Sequence, residues 1–335
     1  MPGNRQVIVR ELPKGALTEA HFELREGDRP VPGAGEALLR TILMSIDAAN
    51  RAWMQGATYR EAVKAGDVMH TYAIGEVVES KDAALAPGDI VAVESRWAEY
   101  VTVKARRAMK LPPVRPLSQL LSVYGIAGKT AYHGLIGVGR PQAGETVVVS
   151  AAAGSVGMYV GQIAKALGCR AVGIAGGADK CAWVTDTLGF DACVDYRAGN
   201  LFKDLKAACP DGVDVYFDNV GGEILETVLF QMNLKGRVVC CGAVSQYDAA
   251  APKGPRNVPG MVVVKRLRME GFIVMDFAAD DAKAGADLQR WVAEGKVKVV
   301  EDIVEGLENA PAALIGLLAG KNRGKRMVRV APDPA

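Results

Sequence analysis

Seven residues, Ala151-Ala152-Ala153-Gly154-Ser155-Val156-Gly157, separate the β-branched run Thr146–Ser150 from a helix-patterned stretch, Met158–Gly168. A tight turn between a buried strand and a helix leaves the first helical amides facing outward, where they attract an anion such as a pyrophosphate. The turn reads as a variant of G-x-G-x-x-G, spaced A-x-x-G-x-x-G, with Ala151 in the first glycine's place. Larger side chains there would block the phosphates or the helix–strand contact. The match is short, and a simple packing turn is the alternative. Later strand ends add to it: Gly176-Gly177, Asn219 with Gly221-Gly222, and Gly242. Ligands of an open parallel sheet lie beyond the carboxyl ends of its strands, and glycines at four successive ends suit a long, flat dinucleotide. The second strand ends in Ala175-Gly176-Gly177, where an NAD site would place an acid on the ribose 2′-hydroxyl. Lys180 follows within a turn, and a cation in an acid-free position favours a 2′-phosphate, hence NADP. Asp179 keeps a ribose contact open, and a solvated helix face is the plain alternative for Lys180.

These residues need a scaffold, and the pattern after residue 125 supplies one. Strand candidates at 146–150, 170–175, 192–195, 213–219, 236–242 and 269–274 alternate with helix candidates at 156–167, 179–188, 201–208 and 222–232. That alternation predicts a doubly wound parallel sheet. A further helix is expected over 282–294. The segment 249–260 has proline and glycine but no period, and reads as a long loop beside the sheet. Before residue 125 the chain is punctuated by turns between short strands at 36–46, 74–80, 90–94 and 97–103, which suggests a barrel-like β domain. Strand candidates at 299–303 and 325–330 suggest that the tail returns to it.

With 335 residues the chain has room for two domains, and its net charge of +2 implies no nucleic-acid or other polyanionic partner. No run is long and apolar enough to span a bilayer, and the first residues lack a signal-peptide core. The six cysteines, Cys169, Cys181, Cys193, Cys209, Cys240 and Cys241, contain no C-x-x-C. They are read as buried packing thiols in a reducing cytoplasm.

Several longer stretches resemble the zinc-independent medium-chain dehydrogenases/reductases. They are Gly128-Lys-Thr-Ala-Tyr132, Ala151–Gly157 with Gly161-Gln-Ile-Ala-Lys165, Phe217-Asp-Asn-Val-Gly-Gly222, Cys241-Gly-Ala-Val-Ser-Gln-Tyr247, Arg268-Met-Glu-Gly-Phe-Ile-Val274 and Gly320-Lys-Asn-Arg-Gly-Lys325. The nearest group is that of the prostaglandin reductases/leukotriene B4 dehydrogenases, with bacterial curcumin reductase and plant double-bond reductases. The resemblance implies an α/β chain: a GroES-like β-barrel substrate domain from 1–125 and 299–335, and a Rossmann domain from 126–298. It implies NADP(H), with Gly154, Ser155, Val156 and Gly157 at the pyrophosphate. Lys180 and Tyr196 would hold the adenosine phosphate end, and Asn219 would lie near the ribose and pyrophosphate. Cys241, Gly242, Ala243, Val244 and Ser245, with Phe272, Ile273 and Val274, would line the nicotinamide half, and Asn322 would reach in from the tail. A helix cap for Asn219, a core role for Phe272 and a surface turn for Tyr196 are the plainer alternatives.

Zinc-dependent relatives need an early cysteine, a Gly-His-Glu segment and a lobe of four close cysteines. Here the first domain has no cysteine, and His21, His70 and His133 are isolated, so no zinc is expected. Hydride chemistry without a metal suits an activated alkene: hydride adds to the β-carbon of an enone or enal, and an enolate oxygen needs a hydrogen-bond donor. Tyr247 is the candidate donor; a cofactor hydroxyl, water, or a packing role for the tyrosine are the alternatives. Relatives read Asp-Pro-Tyr-Met-Arg where this chain has Asp47-Ala-Ala-Asn-Arg51, which opens the question of substrate to Trp53, Tyr59 and Tyr72. Quinone reduction and cofactor binding without turnover are the rival functions. The expected assembly is a homodimer formed through sheet edges.

Overall fold

Thr146–Ser150 (β1) is buried along its whole length in the computed structural model, as a strand covered on both faces must be. The structure describes residues 3–58, 60–249 and 253–334. Parallel to β1 run Arg170–Ala175 (β2), Ala192–Asp195 (β3), Val213–Asp218 (β4), Met232–Cys240 (β5) and Arg268–Gly271 (β6). Their order in the sheet is β3-β2-β1-β4-β5-β6, all parallel. The order reverses between β1 and β4, the point at which such sheets open a crevice for a ligand.

Alternation along the strands builds a core on each face. Val147, Val149, Val215, Phe217 and Val239 face one cluster, with Ile126–Tyr132 (α1), Gly157–Ala166 (α2) and a late helix, Asp281–Ala293. Val148, Tyr216 and Val238 face the other, with Leu201–Ala208 and Gly222–Gln231. Ala178–Asp186 (α3) follows β2. Gly161 lies so close to Phe190 that a Cβ there would come 1.9 Å from the ring.

These elements form one compact unit, Ser122–Val300 with Asn322–Lys325. The other unit is Met1–Leu121 with Glu301–Lys321 and Arg326–Ala335. Its main sheet places Glu36–Ser45 at the centre, antiparallel to His70–Ser80 on one side and to Tyr100–Lys104 and Lys325–Arg329 on the other. Ile90–Arg96 and Met109–Lys110 continue the sheet beyond His70–Ser80. Asn4–Val9 pairs separately with Phe22–Gly27.

Three helical stretches are among the elements that differ from the sequence reading. Residues 250–252 of the expected loop lie outside the described residues, but the helix Val258–Lys265 begins within the stretch read as loop. Pro259 falls in its first turn, where a missing N–H costs nothing. The helix Ala310–Leu318 had no reading at all. After α1 the chain continues as a π-helical segment, His133–Gly139, which periodicity at 3.6 does not signal. Among the described residues no helix is long and apolar enough to cross a membrane.

Candidate functional site

The turn after β1 holds a non-glycine residue in the left-handed region: Ala151 has φ 52°. Such a conformation costs an L-residue about 1 kcal/mol or more. It lets the chain double back so that α2 starts beside it, and a Cβ at Gly157 would stand 2.3 Å from the Ala151 carbonyl oxygen. Gly154 donates to that carbonyl at 2.9 Å. The C-terminal tail fastens here too, because the Gly324 amide donates to the Ala153 carbonyl at 2.9 Å.

At the end of β2 the Gly177 amide donates to the Asp195 carboxylate at 2.8 Å, and the Arg197 amide donates to the same oxygen at 2.9 Å. Asp195 thus ties the β2 and β3 ends together through one carboxylate oxygen. Tyr196 and Arg197 crowd Gly176: a Cβ there would meet Arg197 Nε at 2.8 Å and the Tyr196 ring at 2.9 Å. The Lys180 ammonium donates to the Asn322 carbonyl at 2.7 Å, so two predicted residues 142 positions apart meet. Asn322 is buried, and its amide donates to the Gly324 carbonyl at 2.9 Å. The cluster around Gly176-Gly177 therefore carries Lys180, Arg197 and the Tyr196 ring. That donor set fits a phosphate beside an adenosine. Arg197 was missed by the sequence reading, although its place directly after Tyr196 was a usable signal.

Beyond β4 a buried carboxylate organises the turn. Asp218 Oδ1 accepts from the Tyr216 hydroxyl at 2.8 Å, the Gly221 amide at 2.9 Å, the Val220 amide at 3.0 Å and the Ser150 hydroxyl at 3.3 Å. Burial pushes the Asp218 carboxyl above its ordinary value, against the pull of these bonds. Asn219 follows, its side-chain amide donating to the Ser150 carbonyl at 2.8 Å and its backbone amide to the Ser150 hydroxyl at 3.0 Å. Asn219 therefore locks β4 to β1 at the switch point rather than capping the next helix. Asp218 was part of a quoted motif but not a chosen site residue; an acid ending an apolar strand before Gly221-Gly222 is the signal that could have found it.

The segment after β5 hangs on these carbonyls. Cys241 and Gly242 amides donate to the Asp218 carbonyl at 2.9 and 3.1 Å, Val244 to Asn219 at 3.2 Å and Ser245 to Val220 at 3.1 Å. A one-turn helix, Val244–Tyr247, results. It returns the Tyr247 hydroxyl to the start of the segment, where it accepts from the Ala243 amide at 3.1 Å. The Cys241 thiol is pushed up to about 12, mainly by burial and then by Asp218, so it is no nucleophile. Beyond β6, Phe272 packs edge-on to Phe217 and Phe277. It also presses on Gly134, where a Cβ would come 2.5 Å from its ring. Ile273 and Val274 follow, both half-buried.

In the other unit, Asp47–Arg51 is built into the fold. The Asp47 amide donates to the Asn50 side chain at 2.8 Å, Asn50 donates to the His70 carbonyl at 2.8 Å, and Arg51 donates to the Gly15 carbonyl at 3.0 Å. Trp53 is buried under the Arg60 guanidinium, 4.3 Å from the ring centre. Tyr72 is half-buried, and Tyr59 lies outside the described residues. Among the described residues, no three of His, Cys, Asp and Glu gather as a metal site would require.

Residues 5–111 match a family described as the N-terminal domain of oxidoreductase, and residues 155–290 one described as zinc-binding dehydrogenase. The NADPH-dependent curcumin reductase of Escherichia coli is 42% identical over 338 residues, covering 98% of each chain. Prostaglandin reductase 1 of Rattus norvegicus is 42% identical, covering 94% of this chain and 96% of its own. The crystal structure of CurA in complex with NADPH from Vibrio vulnificus matches with a TM-score of 0.93 at 39% identity, over 98% of this chain and 100% of that one. A quinone oxidoreductase of Pseudomonas syringae, at 20% identity and a TM-score of 0.78 over 98% of this chain and 100% of that one, shares the fold.

Proposed function

Because the chain belongs to the prostaglandin reductase and curcumin reductase group of the medium-chain dehydrogenases/reductases, we propose that it is an NADPH-dependent reductase of α,β-unsaturated ketones or aldehydes that works without zinc. In this reading the GroES-like substrate domain spans 1–125 and 299–335, and the Rossmann domain spans 126–298. One observation carries the cofactor half: Lys180 is held at 2.7 Å on Asn322, beside a β2 end where Asp195 Oδ1 accepts two backbone amides. A 2′-phosphate fits that cationic corner. The substrate half rests on the relatives, whose names specify curcumin and prostaglandin.

NADPH, when bound, supplies the hydride. The chain's own residues hold, orient and stabilise. Gly154–Gly157 and the first turn of α2 present amides to the pyrophosphate. Lys180, with Arg197 and Tyr196, holds the adenosine phosphate end, and Asn219 keeps the floor of the crevice rigid. Cys241–Ser245 and Phe272–Val274 form apolar and backbone walls for the nicotinamide half. As charge builds on the substrate carbonyl oxygen, Tyr247 donates to it. Accepting from Ala243 polarises that hydroxyl and strengthens it as a donor.

The test follows NADPH absorbance across a panel of enones, enals and quinones. Consumption with enones or enals is expected. Turnover of quinones alone would make it a quinone reductase, and binding without turnover would leave a non-catalytic nucleotide-binding protein. In parallel, Lys180→Ala lowers NADPH affinity on the order of tenfold, the worth of a hydrogen bond to a charged group, with little change for NADH. Equal losses for the two would remove Lys180 from the phosphate.

A further inference from the structure

Cys181 and Cys193 serve no step above, yet they are brought together. Cys181 lies in the first half of α3 and Cys193 in β3. Their sulfurs are 3.0 Å apart, with the Cys193 thiol donating to Cys181. All six cysteines are reduced. The remaining thiols have other surroundings: Cys169 donates to the Gln142 carbonyl at 3.2 Å, and burial pushes Cys169, Cys209 and Cys240 each up to about 11. In the pair, the Cys193 thiol is pushed up by its bond to Cys181 and by burial, while that same bond pulls the Cys181 thiol down. A lowered thiol in contact with a second one is the arrangement of an attacking and a resolving cysteine. Cys181 is 9% exposed and Cys193 partly exposed, which admits a small oxidant and excludes a protein.

We propose that Cys181 and Cys193 are a reversible oxidation site that hydrogen peroxide closes to an intramolecular disulfide. The Cys181 sulfur attacks the peroxide; an S–O bond forms, the O–O bond breaks, and one water leaves after protonation. The Cys193 sulfur then attacks the sulfenic sulfur. The S–S bond forms, the S–O bond breaks, and the departing hydroxide takes the Cys193 proton as a second water. Two thiols are oxidised and one peroxide is reduced.

The position gives the bond a consequence. Lys180 immediately precedes Cys181, and Asp195, which holds the Gly177 and Arg197 amides, stands two residues after Cys193. A disulfide sulfur pair sits about 2.05 Å apart, so closing the bond draws the start of α3 towards β3. This displaces Lys180 from the Asn322 carbonyl. Oxidation therefore loosens the hold on a 2′-phosphate; this second part rests on the role given to Lys180 under the proposed function.

The experiment treats the full-length protein with hydrogen peroxide, alkylates it, and reads intact mass and peptide maps. Loss of two hydrogens, with Cys181 and Cys193 found in one linked peptide and released by dithiothreitol, is expected. Cys181→Ser and Cys193→Ser should each abolish the link while the other four thiols behave as before. Sulfinic or sulfonic acid without a link, or a link between other cysteines, overturns the site; the maps on the unaltered protein decide this even if a serine variant misfolds. Titrations with NADPH and NADH on reduced and oxidised protein then test the coupling. A rise of about threefold or more in Kd for NADPH, larger than that for NADH, is expected from a weakened charge-assisted bond. A linked protein with unchanged NADPH affinity overturns the coupling. If the reduced protein binds no NADPH, the role of Lys180 falls, while the mass readout still decides the disulfide.

Discussion

At the residue scale, Asp218 and Tyr247 separate building a site from acting in it. All four hydrogen bonds to the Asp218 carboxylate end on Oδ1, and an asparagine oxygen can accept every one. Asp218→Ala takes this acceptor from two hydroxyls and two amides in a buried turn, and should cost about 2–4 kcal/mol in chemical denaturation. Asp218→Asn keeps the acceptor and removes the buried charge. Since the folded carboxyl titrates above its unfolded value, its contribution to stability is full below the unfolded pKa and lost as pH rises through the folded one. The asparagine variant should therefore equal or exceed the parent at neutral pH and lose that advantage near pH 4; a variant less stable at both pH values would show that the charge itself is needed. Tyr247→Phe is the test of action: kcat for an enone should fall on the order of 10²-fold, with NADPH affinity unchanged. An unaltered kcat would pass the donor role to a cofactor hydroxyl or to water. Residue chemistry was only partly legible in the sequence. Lys180 and Asn322 could be named as separate expectations, but no spacing reveals that they touch across 142 positions. The Asp195 bond to Gly177 and the crowding of Arg197 on Gly176 come only from the packing of β2 on β3.

At the element scale, the β1–α2 turn concentrates the conformational demands of the site. Gly157→Ala would force a Cβ onto the Ala151 carbonyl and should destabilise by roughly 2 kcal/mol or more, with loss of NADPH binding. Ala151→Gly relieves a left-handed alanine and should gain about 0.5–1 kcal/mol or stay neutral. Thermal melts of the two variants decide this, and a destabilised Ala151→Gly would mean that the methyl group's packing outweighs its backbone strain. The strands were readable because buried parallel strands are short β-branched runs, and the turns because glycine marks them. Ala310–Leu318 was not readable: it is apolar on nearly every side, so no polar phase announces a helix. Val258–Lys265 was hidden by Pro259 and Gly260, which punctuate loops more often than they open helices. The four-residue helix that carries Tyr247 was not readable, because it is made by the carbonyls of 218–220 and not by its own period.

At the scale of the whole molecule, β6 ends the parallel sheet and presents an edge. Pairing of that edge with a second copy is the expected assembly, so light scattering should give twice the 35.4 kDa chain mass; a monomer at micromolar concentration would refute it. The division of the chain bears on how the protein is made. Between residues 321 and 326 the backbone leaves one unit, spends four residues in the other, and returns. Those few residues bring Asn322 to Lys180 and Gly324 to Ala153, and the strand Lys325–Arg329 that follows completes the sheet around Glu36–Ser45. During synthesis, then, neither unit can finish before residues 322–329 emerge, however early its own core is translated. A nascent chain stalled short of residue 322 would be a client for chaperones in both units.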